Sequence, residues 1–194
     1  KPYFERFLEA LPDVASLASV EDDRLMKLWE GLGYYSRVRN LQKAAQQIVS
    51  DYGGAFPTDY DKIRALPGIG DYTAGAICSI SFGIPVPAVD GNVLRVFSRL
   101  YNDPGVITDP AVKKAFTARV MEHQPPAAPG DYNQALMELG ALVCVPNGAP
   151  LCDVCPLAGL CESRHLGIQN ERPVPGKKAA VTQIEVVWGA LLHE

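Results

Sequence analysis

The segment Leu66-Pro67-Gly68-Ile69-Gly70-Asp71 places two closely spaced glycines between two apolar stretches with helical periodicity. Glycine lets a chain turn tightly and lets its main-chain N–H groups come close to a ligand. We expect Asp71 to cap the helix that follows, which runs to Phe82. Because the N-terminus of a helix attracts anions, the segment predicts a helix, a tight hairpin and a second helix that together bind a phosphate group.

A second polar signal follows the hairpin, in Val89-Asp90-Gly91-Asn92-Val93. Asp90 stands where another helix begins, and the helix dipole there favours the ionised carboxylate. The apolar face of this helix is formed by Val93, Val96, Phe97 and Leu100. An aspartate before Gly-Asn is most often a turn or cap residue, but its position after the hairpin favours a catalytic role.

Most of the remaining chain consists of short apolar patterns with helical spacing, separated by glycine, proline and capping residues. These patterns predict helices from Pro2 to Leu11, Arg24 to Trp29, Ser36 to just before Gly53, Thr58 to Leu66, Thr108 to Pro125, and Asp131 to Cys144. In the third of these, an apolar stripe is formed by Val38, Leu41, Ala45 and Ile48. The sequence therefore predicts a mainly helical chain.

The character of the chain changes after the Pro-, Gly- and Lys-containing stretch from Arg172 to Lys178, which is typical of a linker. Beyond it, a β-strand is predicted by Ile184, Val186, Val187 and Trp188. A single strand is unstable alone, so it either docks on the helical body or begins a further domain, and we favour the second interpretation. Since the sequence begins without Met and stops abruptly at Glu194, we expect a fragment of a longer protein.

The formal net charge of −4 argues against a generally basic nucleic-acid-binding protein. Phosphate contacts can nevertheless be local, and main-chain N–H groups, which carry no formal charge, can make them. No apolar run approaches the roughly 20 residues needed to span a bilayer, and the first residues lack the features of a signal peptide. These observations exclude a membrane partner and predict a cytoplasmic or nuclear protein.

Four of the five cysteines form a compact group with the spacing C-x7-C-x2-C-x5-C. Such spacing is typical of metal ligands, whereas disulfides are rare in proteins without a secretion signal. Structural zinc sites commonly use two short C-x2-C pairs, so one short and two longer intervals favour a [4Fe-4S] cluster over zinc. The four cysteines are Cys144, Cys152, Cys155 and Cys161, and the fifth, Cys78, is expected to be a buried core thiol.

The hairpin, the aspartate some twenty residues later and the cysteine group together resemble the endonuclease III superfamily of base-excision DNA glycosylases. Within it, three segments look like the MutY-type adenine DNA glycosylases, which remove adenine mispaired with 8-oxoguanine: residues 31–37, residues 89–93 and residues 133–141. The resemblance implies an all-α, endonuclease III-like helical bundle with a helix-hairpin-helix motif and a [4Fe-4S] cluster loop.

The same resemblance implies a domain organisation. Residues 1–125 would form a six-helix-type domain with the helix-hairpin-helix, and residues 126–170 an iron-sulfur domain whose N-terminal part is missing from this sequence. Residues 171–180 would be a linker, and residues 181–194 would begin a C-terminal domain that recognises 8-oxoguanine. The first cysteine interval holds seven residues where the family usually has six, and Pro146, Gly148 and Pro150 could absorb the extra residue in a bulge.

The catalytic residues implied by the resemblance are Asp90, Asn92 and Tyr72. Asp90 would stabilise the positive charge that develops on the deoxyribose, and Asn92 would help to place the sugar and the water. Bifunctional relatives carry at the Tyr72 position a lysine whose amine attacks the sugar. Since tyrosine cannot form a Schiff base, we expect a monofunctional glycosylase that uses water as the nucleophile.

The resemblance also implies double-stranded DNA containing a mispaired adenine as the partner. The hairpin residues expected to contact DNA are Pro67, Gly68, Gly70 and Thr73. Arg37, with Arg39 and Lys43, could contact phosphates or form a solvated helix face. Tyr34 resembles an aromatic wedge that stacks at the 8-oxoguanine, and it could equally be a core aromatic.

In this family the acid that protonates adenine is a glutamate upstream of the match that begins at Pro2, so we expect these 194 residues alone to lack turnover. We expect a monomer, cytoplasmic and associated with the nucleoid in a bacterium, or nuclear or mitochondrial in a eukaryote. Two alternatives remain open from the sequence. One is a thymine or uracil mismatch glycosylase of the same superfamily, and the other is a non-catalytic DNA-binding module.

Overall fold

The computed structural model describes residues 2–177 and Glu185. Ten α-helices follow one another within this part of the chain: α1 (Pro2–Ala10), α2 (Val14–Ser19), α3 (Asp22–Trp29), α4 (Tyr35–Tyr52), α5 (Tyr60–Arg64), α6 (Asp71–Phe82), α7 (Gly91–Leu100), α8 (Pro110–His123), α9 (Pro129–Glu138) and α10 (Glu162–His165). A π-helical turn, Leu139–Val143, extends α9, and three 3₁₀ turns lie at Cys152–Val154, Ala158–Leu160 and Gln169–Glu171. The described residues form no β-strand, which confirms the all-α prediction.

Four groups of buried side chains hold the described helices together. In the first, α7 packs on α8 and α9 through Val93, Val96, Phe97, Phe116, Val120 and Leu136. In the second, the loop after α1 packs with α3 and α4 through Leu11, Leu25 and Val38. In a third group, α5 and α6 bury Ile63, Ala74 and the thiol of Cys78, so the expectation of a core cysteine is confirmed. The apolar face predicted for α7 thus holds its N-terminus against the rest of the bundle.

Asn133 connects α9 to the segment that leads into α7. Its side chain is 0% exposed, and its amide donates to Ser79 Oγ at 2.8 Å and to the carbonyl of Val86 at 2.9 Å. Its Oδ1 accepts from the main-chain N–H of Ala88 at 3.2 Å. One buried amide therefore fixes the chain immediately before Asp90.

We expect Asn133→Ala to lower the free energy of unfolding by about 3 kcal/mol, because several buried polar groups lose their partner at once. Chemical denaturation of the two proteins measures the difference. The matched control is Asn147→Ala, which truncates an exposed asparagine and should change stability by less than about 0.5 kcal/mol. Equal stability of Asn133→Ala and the parent protein would contradict this role.

Several helix starts differ from the predicted ones. Asp71 does not cap α6; Gly70 is the N-cap residue, and the carboxylate of Asp71 instead pairs with Arg64. Similarly, α5 is capped by Asp59 rather than opened by Thr58. In each case the helix is capped by the residue next to the predicted one, a shift that short patterns do not resolve.

Helix α4 begins at Tyr35, one residue before the predicted cap Ser36, and α9 begins at Pro129 rather than at Asp131. Within α4 the predicted stripe is interrupted, since Leu41 is 43% exposed. Helix α2, a helix of six residues that the side chain of Asp13 caps, was not predicted from the sequence. Such a short helix has little periodicity of its own.

Residues 172–177 lie against the loop before α8. The N–H of Ile107 donates to the carbonyl of Val174 at 3.1 Å, and Val174 forms an isolated parallel bridge with Val106. The predicted strand after residue 180 lies, apart from Glu185, outside the described residues. In the part of the chain that is described, no helix is both long and apolar enough to cross a membrane.

Candidate functional site

Asp90 is the N-cap residue of α7, as the sequence predicts. Its Oδ1 accepts a hydrogen bond from the N–H of Val93 at 2.9 Å, which satisfies one donor of the first helical turn. Its Oδ2 accepts from Nδ2 of Asn92 at 2.8 Å. The carboxylate is thus fixed by two donors and lies at the positive end of the helix dipole.

Asn92 is itself oriented by a buried arginine that sequence reasoning missed. Arg95 is 7% exposed, and its Nη2 donates to Oδ1 of Asn92 at 2.8 Å and to the carbonyl of Gly140 at 2.6 Å. Its Nε donates to the carbonyl of Cys144 at 2.8 Å. Burial lowers the pKa of Arg95 from its ordinary value. A continuous chain of hydrogen bonds therefore runs from the carboxylate of Asp90 to the main chain of the first cysteine.

Gly140 is a second residue that the sequence reading did not single out as functional. A Cβ at this position would lie 2.6 Å from Cβ of Asn92, so only glycine allows the π-helical turn to approach α7 this closely. The signal for Arg95 was present in the sequence. Arg95 and Arg99 are one helical turn apart in a segment whose other helical positions include the apolar face of α7.

Tyr72 and Asp90, which are eighteen positions apart, line one cavity of about 530 Å³. The hydroxyl of Tyr72 donates to Sδ of Met137 at 3.3 Å. The apolar part of the lining is formed by Pro85, Val86, Pro87, Val89, Leu94 and Met121. The structure thus brings the three predicted catalytic residues together, since Asn92 is bonded to Asp90.

The hairpin between α5 and α6 turns at Gly68, which has a φ of +79° in the left-handed region that favours glycine. A Cβ there would also lie 2.7 Å from Cβ of Asn40 on α4. Gly70 has extended backbone and no side chain caps α6, so the N–H groups of its first turn remain available to a ligand. The ion pair between Arg64 and Asp71 joins the two helices.

Arg37, Pro67, Gly68 and Thr73 line a single groove of about 620 Å³ beside the hairpin, and Tyr72 lines both this groove and the cavity at Asp90. Most of the other lining residues are apolar. Four of the six predicted DNA-contacting residues are therefore neighbours in space.

Tyr34 does not line that groove, but its ring contacts Arg37, which does. Its side chain is 75% exposed, so the core interpretation of this residue is wrong. Its φ of 48° is left-handed, which is uncommon for a residue other than glycine. The guanidinium of Arg37 lies 4.7 Å from its ring centroid. An exposed aromatic ring is thus held at the N-cap of α4 and backed by a cation.

The four grouped cysteines line one small cavity together with Arg99 and Arg164. All are free thiols, so the disulfide alternative is not what the structure shows. Sγ of Cys144 accepts from Nη1 of Arg99 at 3.2 Å, and Sγ of Cys161 donates to the carbonyl of Arg99 at 3.4 Å. Burial raises the pKa of the Cys161 thiol. The sequence group is therefore a group in space as well.

Two observations bear on what the cysteines could hold. No set of three or more His, Cys, Asp or Glu side chains in the described ranges is arranged to hold a single metal ion. The chemistry of the donor set, four thiols around one cavity, nevertheless suits a polynuclear iron-sulfur group. The first cysteine interval forms a loop that is closed by the hydrogen bond from Leu151 N–H to the Val143 carbonyl, at 2.9 Å.

A helical bundle with a glycine hairpin, followed by an aspartate that caps a helix beside a cavity, defines a helix-hairpin-helix class of proteins. The family model of the HhH-GPD superfamily base excision DNA repair proteins matches residues 1–122. The chain therefore belongs to the HhH-GPD superfamily.

Curated relatives include the adenine DNA glycosylase of Homo sapiens, 39% identical over 184 residues, which cover 94% of this chain and 34% of the relative. The adenine DNA glycosylase of Buchnera aphidicola subsp. Acyrthosiphon pisum is 39% identical over 194 residues, which are the whole chain and 55% of that relative. The chain thus spans about a third to a half of the length of these relatives.

Solved structures with the same fold include a thermostable thymine-DNA glycosylase, with a TM-score of 0.77 and 26% identity, covering 85% of this chain and 76% of that one. A non-covalent endonuclease III–DNA complex has a TM-score of 0.73 and 27% identity, covering 87% and 77%. These similarities confirm the resemblance to endonuclease III.

Proposed function

We propose that this chain forms the catalytic part of an adenine DNA glycosylase, which hydrolyses the N-glycosidic bond of adenine opposite 8-oxoguanine or guanine in double-stranded DNA. The observation that carries the proposal is the carboxylate of Asp90, held by two hydrogen bonds at the N-terminus of α7 beside the cavity that Tyr72 lines. The names of relatives that are 37–43% identical over most of the chain support adenine as the base.

The proposed chemistry follows from charge. Cleavage of an N-glycosidic bond develops positive charge on the deoxyribose, and a fixed carboxylate stabilises that charge without reorganising. Asp90 supplies the carboxylate, and Asn92 orients the sugar and the attacking water. Tyr72 carries no amine for a Schiff base, so water completes the reaction and the strand is not cut.

The proposed DNA contacts lie on the hairpin side of this site. The uncapped N-terminus of α6 and the turn at Gly68 offer N–H groups to a phosphate. Arg37 lies in the groove beside the hairpin and backs the exposed ring of Tyr34, which can stack on a base. The target base must leave the helix to reach Asp90, and a stacked ring fills the space that it leaves.

A [4Fe-4S] cluster held by Cys144, Cys152, Cys155 and Cys161 is part of the proposal. When bound, such a cluster cross-links the loop through four iron–thiolate bonds and can exchange an electron. The residues present provide the four thiols, and Arg99 offers a charged donor to the first of them. The four thiols, with one short and two longer intervals between them, favour the cluster over a zinc ion.

We expect the purified protein to show the broad visible absorbance of an iron-sulfur protein and Cys155→Ser to lose it, because one of four thiolate ligands is gone. Absorbance spectra with iron and sulfide analysis measure this. The matched control is Cys78→Ser, which removes the cysteine outside the group and should keep the absorbance. A colourless protein with stoichiometric zinc would contradict the cluster.

Base release from two duplexes tests the function. The full-length protein is expected to release adenine opposite 8-oxoguanine and to leave thymine opposite guanine intact. The fold similarity to a thymine-DNA glycosylase makes thymine release the second candidate. Release of thymine alone would indicate a thymine mismatch glycosylase and contradict the adenine assignment. Tight binding of both duplexes without release of either base would indicate a DNA-binding module.

A further inference from the structure

A second cavity, of about 860 Å³, also begins at Asp90 but is lined by α7, the first cysteine loop and the segment after α10. Its lining differs in character from that of the Tyr72 cavity. The polar and charged lining residues are Asp90, Asn92, Arg95, Arg99, Asn147, Asn170 and Arg172. Among the described residues that line it, three are arginines and one is acidic, so the cavity is basic.

Of the three arginines that line this cavity, Arg172 has the side chain with the fewest hydrogen bonds. Its carbonyl accepts from Nε of Arg99 at 3.0 Å, which fixes its main chain against α7. Its own Nε is buried and has no hydrogen-bond partner in the described part of the chain, while Nη1 donates to the carbonyl of Glu171 at 3.2 Å. A buried donor left without an acceptor costs about 1–3 kcal/mol, so an acceptor entering the cavity is favoured.

Arg95 and Arg99 add positive charge to the same cavity and so also favour an anionic acceptor there. They are 7% and 4% exposed, and each binds main-chain oxygens through Nε and one terminal nitrogen. The one carboxylate on the cavity, that of Asp90, already accepts from Val93 and Asn92.

We propose that this basic cavity binds a backbone phosphate of the target strand, adjacent to the nucleotide whose sugar faces Asp90, with Arg172 as the principal contact. The inference rests on the proposed function. A nucleotide presents its base, sugar and phosphate in that order. Of the two cavities that meet at Asp90, the one on the Tyr72 side has the larger share of apolar side chains, and the one on the Arg172 side carries three arginines. Arginine matches this ligand because its N–H groups bind phosphate oxygens in pairs.

The test combines one substitution with a scan of the DNA. Binding of the full-length protein is measured on duplexes with an abasic analogue at the target position, in which single phosphates are replaced by neutral methylphosphonates. We expect one position next to the target nucleotide to weaken binding by about tenfold, and Arg172→Gln to weaken binding to the unmodified duplex by a similar factor. In Arg172→Gln, the methylphosphonate at that position should have no further effect.

Two controls keep the outcomes distinct. Lys177→Gln removes a charge from an exposed residue of the same segment that does not line the cavity, and it should retain the full methylphosphonate effect. Thermal unfolding shows whether Arg172→Gln is folded, and Arg172→Lys, which keeps the charge, should recover part of the affinity.

The proposal is overturned if the methylphosphonate effect persists in Arg172→Gln. It is also overturned if inorganic phosphate, titrated without DNA, binds in an Arg172-dependent way that no DNA phosphate reproduces, since the cavity would then be a free-anion site. Because the duplex carries no target base, these results do not depend on which base is excised. Absence of adenine release in the separate assay would count against the proposed function alone.

Discussion

Replacement of Asp90 by asparagine is expected to slow base release by about 10²–10³-fold while DNA binding is retained, since the variant loses a charge that acts in the transition state. Asparagine is as good an N-cap residue as aspartate, so α7 should keep its first turn. Single-turnover release of the target base from the full-length protein measures the effect, and a binding assay on the same duplex measures affinity.

The chain offers a close control for this substitution. Asp109 is also an N-cap aspartate, at the start of α8, and its side chain accepts from the N–H of Ala111. Asp109 itself does not line the cavity of Tyr72. Asp109→Asn makes the same chemical change and should release base at the parental rate. If Asp90→Asn and Asp109→Asn released base equally fast, Asp90 would be a capping residue only.

Replacement of Arg95 by methionine is expected to lower the free energy of unfolding by about 3 kcal/mol and to slow base release as well. The carbonyls of Gly140 and Cys144 lose a charged donor, and each buried acceptor left unpaired costs about 1–3 kcal/mol. Asn92 loses the contact that orients its amide toward Asp90. Denaturation curves and single-turnover rates, compared at a temperature where both proteins are folded, separate the two effects.

The control for Arg95→Met is Arg24→Met, which replaces an exposed arginine on α3 and should change stability by less than about 0.5 kcal/mol. If Arg95 positions Asn92, a conservative substitution should affect the rate of base release more than the stability. Arg95→Lys, which can keep one of the contacts, should recover more of the stability than of the rate. A variant that is destabilised but releases base at the parental rate would limit Arg95 to a structural role.

The features that sequence patterns predicted correctly here are local ones. The cap at Asp90, the turn at Gly68 and the burial of Cys78 each follow from residues within one helical turn or from one apolar segment. The helix-hairpin-helix is of this kind, because glycine conformation and helix start signals operate over a few residues.

The features that were missed depend on contacts between distant segments. Asp71 pairs with Arg64 across the hairpin instead of capping its own helix, and Arg95 binds carbonyls of the π-helical turn about 45 residues later. The exposure of Leu41 likewise depends on what packs beside α4. A pattern of spacing within one helix contains no information about these partners.

The attachment points of the first cysteine loop explain how its length can vary. The hydrogen bonds from Arg95 and Arg99 end at Cys144 and Val145, before the loop turns at Gly148. The loop is then closed by Leu151 N–H and the Val143 carbonyl. An inserted residue between these anchors changes the closure entropy by only a small amount and moves neither end. Variants of different loop length should therefore share one geometry at Asp90.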